Sequence, residues 1–161
     1  LNKINYYIPN LSATGVPLSS YLSRYYFEQK DYNKSLELLK YSTKANYKDL
    51  LTQELLLKNY IFLGENNLAL ILAKKLLQTY TENLLYAQVY FSLIYDLNLK
   101  DELSIELLEN NRKVDFHLLF FKTLEKFKDF NSITKETLIK KSLEIFPDNS
   151  KILKLHSKKR N

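Results

Sequence analysis

The chain lacks cysteine, methionine and tryptophan altogether, and its 161 residues include only two glycines, three prolines and two histidines. Without cysteine there is no disulfide, no thiol nucleophile and no thiolate ligand for zinc. Neither His117 nor His156 has a metal-ligand neighbour at helical spacing, and the isolated Gly15 and Gly64 cannot form a phosphate-binding loop. Because the common catalytic motifs are missing, we expect no catalytic residue, no cofactor, no metal site and no enzymatic activity.

Neighbouring carboxylates are the remaining candidates for acid-base chemistry. Asp101 and Glu102 are adjacent, and Glu106 and Glu109 follow within one or two helical turns. Their spacing predicts that they lie on an exposed helix face. A general acid needs a pocket that shifts its pKa, so we expect these carboxylates to be solvated charges.

The scarcity of glycine and proline leaves long stretches without a helix breaker, and no alternating run of β-branched residues indicates a strand. We therefore predict an all-α fold and, at this length, one domain. The last helix should begin at Ser150, whose hydroxyl would cap it. The preceding helices are predicted at 17–29, 33–45, 48–62, 66–79, 83–97, 100–109, 115–128 and 134–146.

A pattern recurs every 34 residues along the chain. Tyr26, Tyr60 and Ile94 stand 34 positions apart, each near the end of a predicted helix that a turn follows. Two helices approach closely only where small side chains meet, and a single helix pair cannot bury its apolar stripe alone. We expect the small residues of the pattern at helix crossings, namely Ser23, Ser35, Ser42, Ala69 and Ala73.

The motif Leu22-Ser23-x2-Tyr26 with Ser35-x3-Leu39, and Leu56-Leu57-x2-Tyr60 with Ala69-x3-Ala73, resembles the tetratricopeptide repeat, whose period is about 34 residues. The third unit departs from it, since Phe91 and Leu103 replace small residues. The resemblance implies a right-handed α-solenoid of about four stacked antiparallel helix pairs plus a C-terminal capping helix. It divides the chain into an extended leader (1–15), a repeat domain (16–147, with units 16–49, 50–83, 84–115 and 116–147), and a capping helix with a basic tail (148–161).

Members of this family bind partners along a concave face that the first helix of each pair lines, so the resemblance implies a groove. The mixture of aromatic and polar side chains at the matching phase suits an extended peptide. Ser20, His117, Phe120 and Leu124 share this phase. The candidate groove residues are Arg24, Phe27, Glu54, Lys58, Phe62, Gln88, Ser92 and Tyr95.

Two alternatives bear on this groove. The aromatic residues Phe27, Phe62 and Tyr95 could instead pack against the next unit. The carboxylate clamp of chaperone-binding members is not expected, because its matching positions carry Leu55 and Leu85 among other residues unable to hold an anion. The cations Arg24 and Lys58 favour an extended acidic or hydroxyl-rich ligand.

The formal net charge of +6 comes mostly from lysines that are spread over all the predicted helices. Nucleic-acid binders concentrate such charge on one face, so we expect no nucleic-acid partner. No stretch is long and apolar enough to span a membrane. The chain begins with leucine and contains no methionine, so we interpret it as a piece of a larger protein or a processed form.

Two function classes follow, and the oligomeric state is left open in both. The first is a non-catalytic scaffold that binds a protein or peptide. The second rests on a weaker resemblance: the segments 10–18 (NLSATGVPL) and 34–40 (KSLELLK) look like the helical-repeat tails of bacterial O-antigen polymerase or ligase-like membrane proteins. That resemblance implies a soluble accessory domain that faces the bacterial periplasm rather than the cytoplasm.

Overall fold

The computed structural model describes residues 12–157. Within that range the chain is helical and contains no strand, which confirms the all-α prediction. The elements are α1 (Leu18–Glu28), α2 (Tyr32–Ala45), α3 (Leu50–Phe62), α4 (Asn66–Thr79), α5 (Leu84–Asp96), a 3-10 helix (Lys100–Glu102), α6 (Ile105–Glu109), α7 (Val114–Leu124), α8 (Ser132–Ile145) and α9 (Ser150–Ser157).

The turn that ends the first helix of each pair has the same hydrogen bonds in three successive units. A residue with positive φ stands at each turn: Lys30 at 63°, Gly64 at 75° and Asn98 at 55°. The next backbone N–H reaches back to a carbonyl oxygen five residues earlier, which is the Schellman arrangement that satisfies helix-terminal carbonyls. These bonds join Asp31 to Tyr26, Glu65 to Tyr60 and Leu99 to Ile94. The 34-residue period is thus a period of helix termination.

The described chain divides into two compact units, with the division between Leu72 and Ala73. In the first unit α1 and α2 are antiparallel, because Ser19 bonds Ser42 while Ser23, one turn later, bonds the earlier Ser35. Small hydroxyl side chains let the two backbones approach closely at these points. The five small residues predicted at crossings are all fully buried: Ser23, Ser35, Ser42, Ala69 and Ala73.

Helix α3 lies beside α1 and runs in the same direction. Ser20 bonds Thr52 near the start of both helices (2.7 Å), and the rings of Phe27 and Phe62 meet at their ends, with centroids 5.4 Å apart. The side-chain amide of Asn59 also donates to Ser35 of α2 at 3.0 Å. Each first helix therefore contacts both its own partner and the next first helix.

In the second unit α5 and α7 are likewise parallel neighbours. Phe91 contacts Phe116 near the start of α7, and Tyr95 contacts Phe127 just beyond its end. The core around them is aromatic, and α8 and α9 pack on the same unit. The largest fully buried side chains of this unit include Tyr90, Phe91, Phe116, Phe120 and Phe121.

Three predicted elements were wrong in detail. The helix predicted at 100–109 is instead the 3-10 helix followed by the five-residue α6. Leu103, which replaces the small residue of the crossing, is buried, and its bulk beside Phe91 does not allow a second helix to lie as close as α2 does to α1. Helix α7 ends at Leu124 rather than at 128. The cap of α9 is Asn149, whose Oδ1 accepts from the backbone N–H groups of Lys151 and Ile152.

The predicted leader is described only from residue 12 onward, and residues 1–11 lie outside the described range, as do residues 158–161 of the predicted basic tail. Residues 12–16 form a turn in which Ser12 N–H donates to Val16 O at 2.7 Å. Asn46, after α2, donates to the carbonyl oxygen of Gly15, which fixes this turn to the first pair. None of the helices in the described range has the length and apolar character needed to cross a membrane.

Candidate functional site

Two of the predicted groove residues in the first unit are exposed cations. Arg24 forms an ion pair with Glu28 one turn later on α1 (Nε to Oε1, 3.0 Å), and both side chains are more than half exposed. Lys58 on α3 is exposed and forms no ion pair within the described residues. Glu54, one turn before Lys58, is half-buried. Since α1 and α3 run side by side, these charges belong to neighbouring helices of one unit.

Phe27 and Phe62 meet at the ends of α1 and α3, where Tyr32 joins them. The ring centroids of Phe27 and Phe62 are 5.4 Å apart, and Tyr32 stacks on Phe62 at 4.9 Å. Phe62 nevertheless remains 59% exposed. We call Phe27, Tyr32 and Phe62 the aromatic patch.

In the second unit the predicted groove residues lie on α5. Gln88 and Ser92 are exposed, and Ser92 has a long contact of 3.4 Å with Asp96. Tyr95 is half-exposed: its ring contacts Phe127, and the ammonium of Lys126 lies 4.8 Å from the ring centroid. Phe27, Phe62 and Tyr95 therefore each contact an aromatic residue of the following unit, as the packing alternative proposed, while Phe62 and Tyr95 also keep an exposed face.

Four residues that share the groove phase do not line a surface at all. Ser20, His117 and Phe120 are fully buried, and Leu124 is almost so. Ser20 bonds Thr52, and the ring of His117 is enclosed by α8 and by the residues that precede α7. Helical phase alone missed these burials because each depends on a partner far away in the chain.

His117 is a buried histidine with both ring nitrogens engaged. Nε2 lies 2.9 Å from the carbonyl oxygen of Asn111, so Nε2 carries the proton and donates it. Nδ1 is then the acceptor for the hydroxyl of Ser142. Burial lowers the pKa of His117, and the positive charge of Arg112 lowers it slightly further, against the raising effect of the Asn111 and Leu108 carbonyls. The ring is a neutral structural element of the second unit.

A cavity of about 100 Å³ lies among α4, α5, α6 and the start of α7 in the second unit. We call it the α5–α6 pocket. Both its floor of apolar side chains and its polar wall come from residues that no sequence motif singled out as a site. It is lined by Lys74, Leu77, Gln78, Thr81, Tyr90, Glu102, Ser104, Glu106, Leu107, Asn110, Asn111 and Phe116.

Glu102 is the centre of the polar wall, which corrects the prediction that it is a solvated charge. Its Oε2 accepts hydrogen bonds from the Lys74 ammonium and from the Tyr90 hydroxyl, each at 2.7 Å. The Lys74 bond and then the Tyr90 bond hold the pKa of Glu102 below its ordinary value. Burial, reinforced by the Glu102 carboxylate, raises the pKa of Tyr90. At neutral pH the three groups form a charged pair and a neutral phenol.

The pocket has a sequence correlate that could have indicated it. The second helices of the other pairs have 14 residues, whereas α6 has five. The bulky Phe91 and Leu103 at the crossing are visible in the sequence and predict a wider gap between the helices of the third pair. No group of three or more acidic or histidine side chains among the described residues is arranged to hold a metal ion.

Comparison of the chain with protein-family models, curated proteins and solved structures finds no match. The resemblances to tetratricopeptide repeats and to the tails of O-antigen polymerase or ligase-like proteins therefore stay predictions. Any function must be argued from the residues and contacts described above.

Proposed function

We propose that the chain is a non-catalytic interaction scaffold, a right-handed solenoid of stacked helix pairs that binds an extended peptide of a partner protein along its first helices. The observation that carries the proposal is the aromatic patch, which stays open at the ends of α1 and α3. Phe62 is 59% exposed even though it contacts two other rings. A peptide side chain placed on this patch would complete its burial.

Exposed aromatic residues of this kind dominate the energetics of protein interfaces. They bury a large area at a small entropic cost, and a few such anchors typically supply most of the binding free energy. Because its neighbouring rings already position Phe62, little further ordering is needed when a ligand covers it. Truncation of such an anchor typically costs about 2 kcal/mol or more of binding free energy.

The two cations near the patch supply the charge preference. Lys58 has no counter-ion among the described residues, and the Arg24–Glu28 pair is exposed enough to exchange partners at small cost. An exposed ion pair contributes only about 1 kcal/mol at most, so the cations set selectivity while the patch supplies affinity. The preferred ligand is an extended segment with an aromatic or large apolar residue beside an acidic one.

The experiment is a capture of partners from the native extract with four forms of the chain, followed by titration of the recovered partner. The forms are wild type, Phe62→Ala, the double variant Arg24→Ala/Lys58→Ala, and the control Lys40→Ala/Lys44→Ala, which removes two exposed lysines from the second helix α2. We expect wild type and the control to recover the same partner, Phe62→Ala to lose it, and the Arg24→Ala/Lys58→Ala variant to bind it more weakly at low salt. A partner that Phe62→Ala and the double variant bind as wild type does would place the working surface elsewhere.

A further inference from the structure

We propose that the α5–α6 pocket binds a primary ammonium group carried on a short alkyl stem. The pocket shares no residue with the aromatic patch, so this inference stands apart from the proposed peptide-binding function. It rests on the origin of the pocket, its charge, its uncommitted polar groups and its size.

The pocket exists because the third pair lacks a full second helix. Leu103 is buried where the earlier units have a small residue, and the chain then forms only the short α6. The space that a 14-residue helix would fill is left between the end of α4 and α5. The cavity is therefore a product of the way this pair packs, and its walls are held by the buried ring of Tyr90 and the Lys74–Glu102 ion pair.

The charge of the lining selects a cation. Lys74 is already neutralised by Glu102 at 2.7 Å. Glu106, also in the lining, forms no ion pair within the described residues. One lysine and two glutamates leave the pocket with a net charge of −1, on a chain whose formal charge is +6. A cationic group that enters the pocket gains a carboxylate partner, whereas an anion meets an unpaired one.

The hydrogen-bonding groups suit an ammonium in particular. Only Oε2 of Glu102 is engaged by Lys74 and Tyr90, which leaves Oε1 as an acceptor. The side chains of Gln78, Ser104 and Asn110 line the pocket and take part in no hydrogen bond among the described residues, so their oxygens can accept the remaining N–H protons.

The apolar floor and the volume define the stem. Leu77, Leu107 and Phe116 supply apolar surface for a few methylene groups. A volume of about 100 Å³ is somewhat smaller than the cavity of about 150 Å³ that holds benzene in a well-studied engineered protein. A butylammonium-sized group fits this space, and such a group occurs both in small alkylamines and in the side chain of lysine.

The test is a titration of the full ¹⁵N-labelled chain with butylammonium, followed by amide chemical shifts, with butyrate and butanol as isosteric comparisons. A ligand with so few heavy atoms should bind with a dissociation constant of about 1–10 mM. We expect butylammonium to shift the amides of Ser104, Glu106 and Asn110, with butanol weaker and butyrate without effect. Nα-acetyl-lysine methylamide separates the two sources: binding equal to that of butylammonium indicates a lysine side chain of a protein, and binding of butylammonium alone indicates a small amine.

Two charge variants decide the assignment. Glu106→Gln should weaken butylammonium binding about fivefold, the effect of losing one exposed ion pair. Glu65→Gln removes the same charge from a residue outside the lining and should leave binding unchanged. The proposal is overturned if butylammonium causes no saturable shift at these amides, if butyrate binds as well as butylammonium, or if Glu106→Gln and Glu65→Gln bind butylammonium equally.

Discussion

The backbone N–H of Asp31 donates to the carbonyl oxygen of Tyr26 at 2.9 Å, and the same bond is formed 34 residues later by Glu65 and Tyr60 at 2.8 Å. The residues that occupy the turn differ between the units, yet its geometry does not. Lys30 and Gly64 both adopt positive φ, although lysine has no side-chain reason to do so. The period is therefore a backbone requirement that the chain meets with unlike residues.

This turn predicts opposite effects of glycine at its first two occurrences. Lys30→Gly should stabilise the chain by about 1 kcal/mol, because a left-handed conformation costs a β-carbon-bearing residue roughly that amount. Gly64→Ala should destabilise it by about 1 kcal/mol through backbone strain alone, since an added β-carbon at Gly64 meets no atom within 4 Å. Urea unfolding followed by circular dichroism measures both.

Asn98→Gly serves as the comparison for these two substitutions. Asparagine tolerates the left-handed region better than lysine does, so the gain from glycine at position 98 should be smaller than at position 30. Equal unfolding free energies for wild type, Lys30→Gly and Gly64→Ala would show that the turn is not strained.

A second prediction concerns the helix crossing at Ala69, which has no exposed surface. Ala69→Glu would place a carboxylate without a partner in the core and should cost several kcal/mol, or about 3 kcal/mol and more. Ile71→Glu on the same helix α4 is the matched control, because Ile71 is 67% exposed and its replacement should cost less than about 0.5 kcal/mol. Similar melting temperatures for the two variants would contradict this assignment of faces.

These results show which features of the chain are local and which are not. Helix α4 has the predicted bounds because Gly64 and the residues around it mark its start within a few positions. The exposure of Arg24 and Lys58 follows from helical phase. The burial of Ser20 could not be predicted from phase, because its partner Thr52 is 32 residues away, and the α5–α6 pocket depends on how Leu103 is buried in three dimensions.

The third prediction concerns the bond between Tyr90 and Glu102. Tyr90→Phe removes a hydroxyl that donates to a carboxylate at 2.7 Å while it keeps the fully buried ring. Because hydrogen bonds to charged groups contribute more than neutral ones, the expected loss of unfolding free energy is about 1–2 kcal/mol. Tyr95→Phe on the same helix removes a hydroxyl that has no hydrogen-bond partner among the described residues, so its stability should stay within about 0.5 kcal/mol of wild type. An equal effect of the two substitutions in urea unfolding would exclude a stabilising Tyr90–Glu102 bond.

The last prediction concerns the pH dependence of stability that the buried His117 creates. Burial lowers the pKa of His117 in the folded chain, whereas in the unfolded chain the ring keeps its ordinary pKa of about 6.5. Below that pH the unfolded state binds more protons than the folded state, so the free energy of unfolding should be constant above the unfolded pKa. It should then fall as the pH decreases toward the folded pKa, with a slope of at most about 1.4 kcal/mol per pH unit. The window from pH 7 to pH 5 avoids most of the carboxylate titration, which follows at lower pH.

His117→Gln isolates this effect, because glutamine can still donate to the carbonyl of Asn111 and accept from Ser142 but does not titrate. The variant should be less stable than wild type at pH 7.5 by about 1–3 kcal/mol, since glutamine does not match the ring's shape and contacts. Its stability should nevertheless change less than that of wild type between pH 7 and pH 5, so the difference between the two proteins narrows as the pH falls. Urea unfolding at closely spaced pH values measures both curves. If the two curves are parallel over this window, His117 is not the group that couples protonation to the fold.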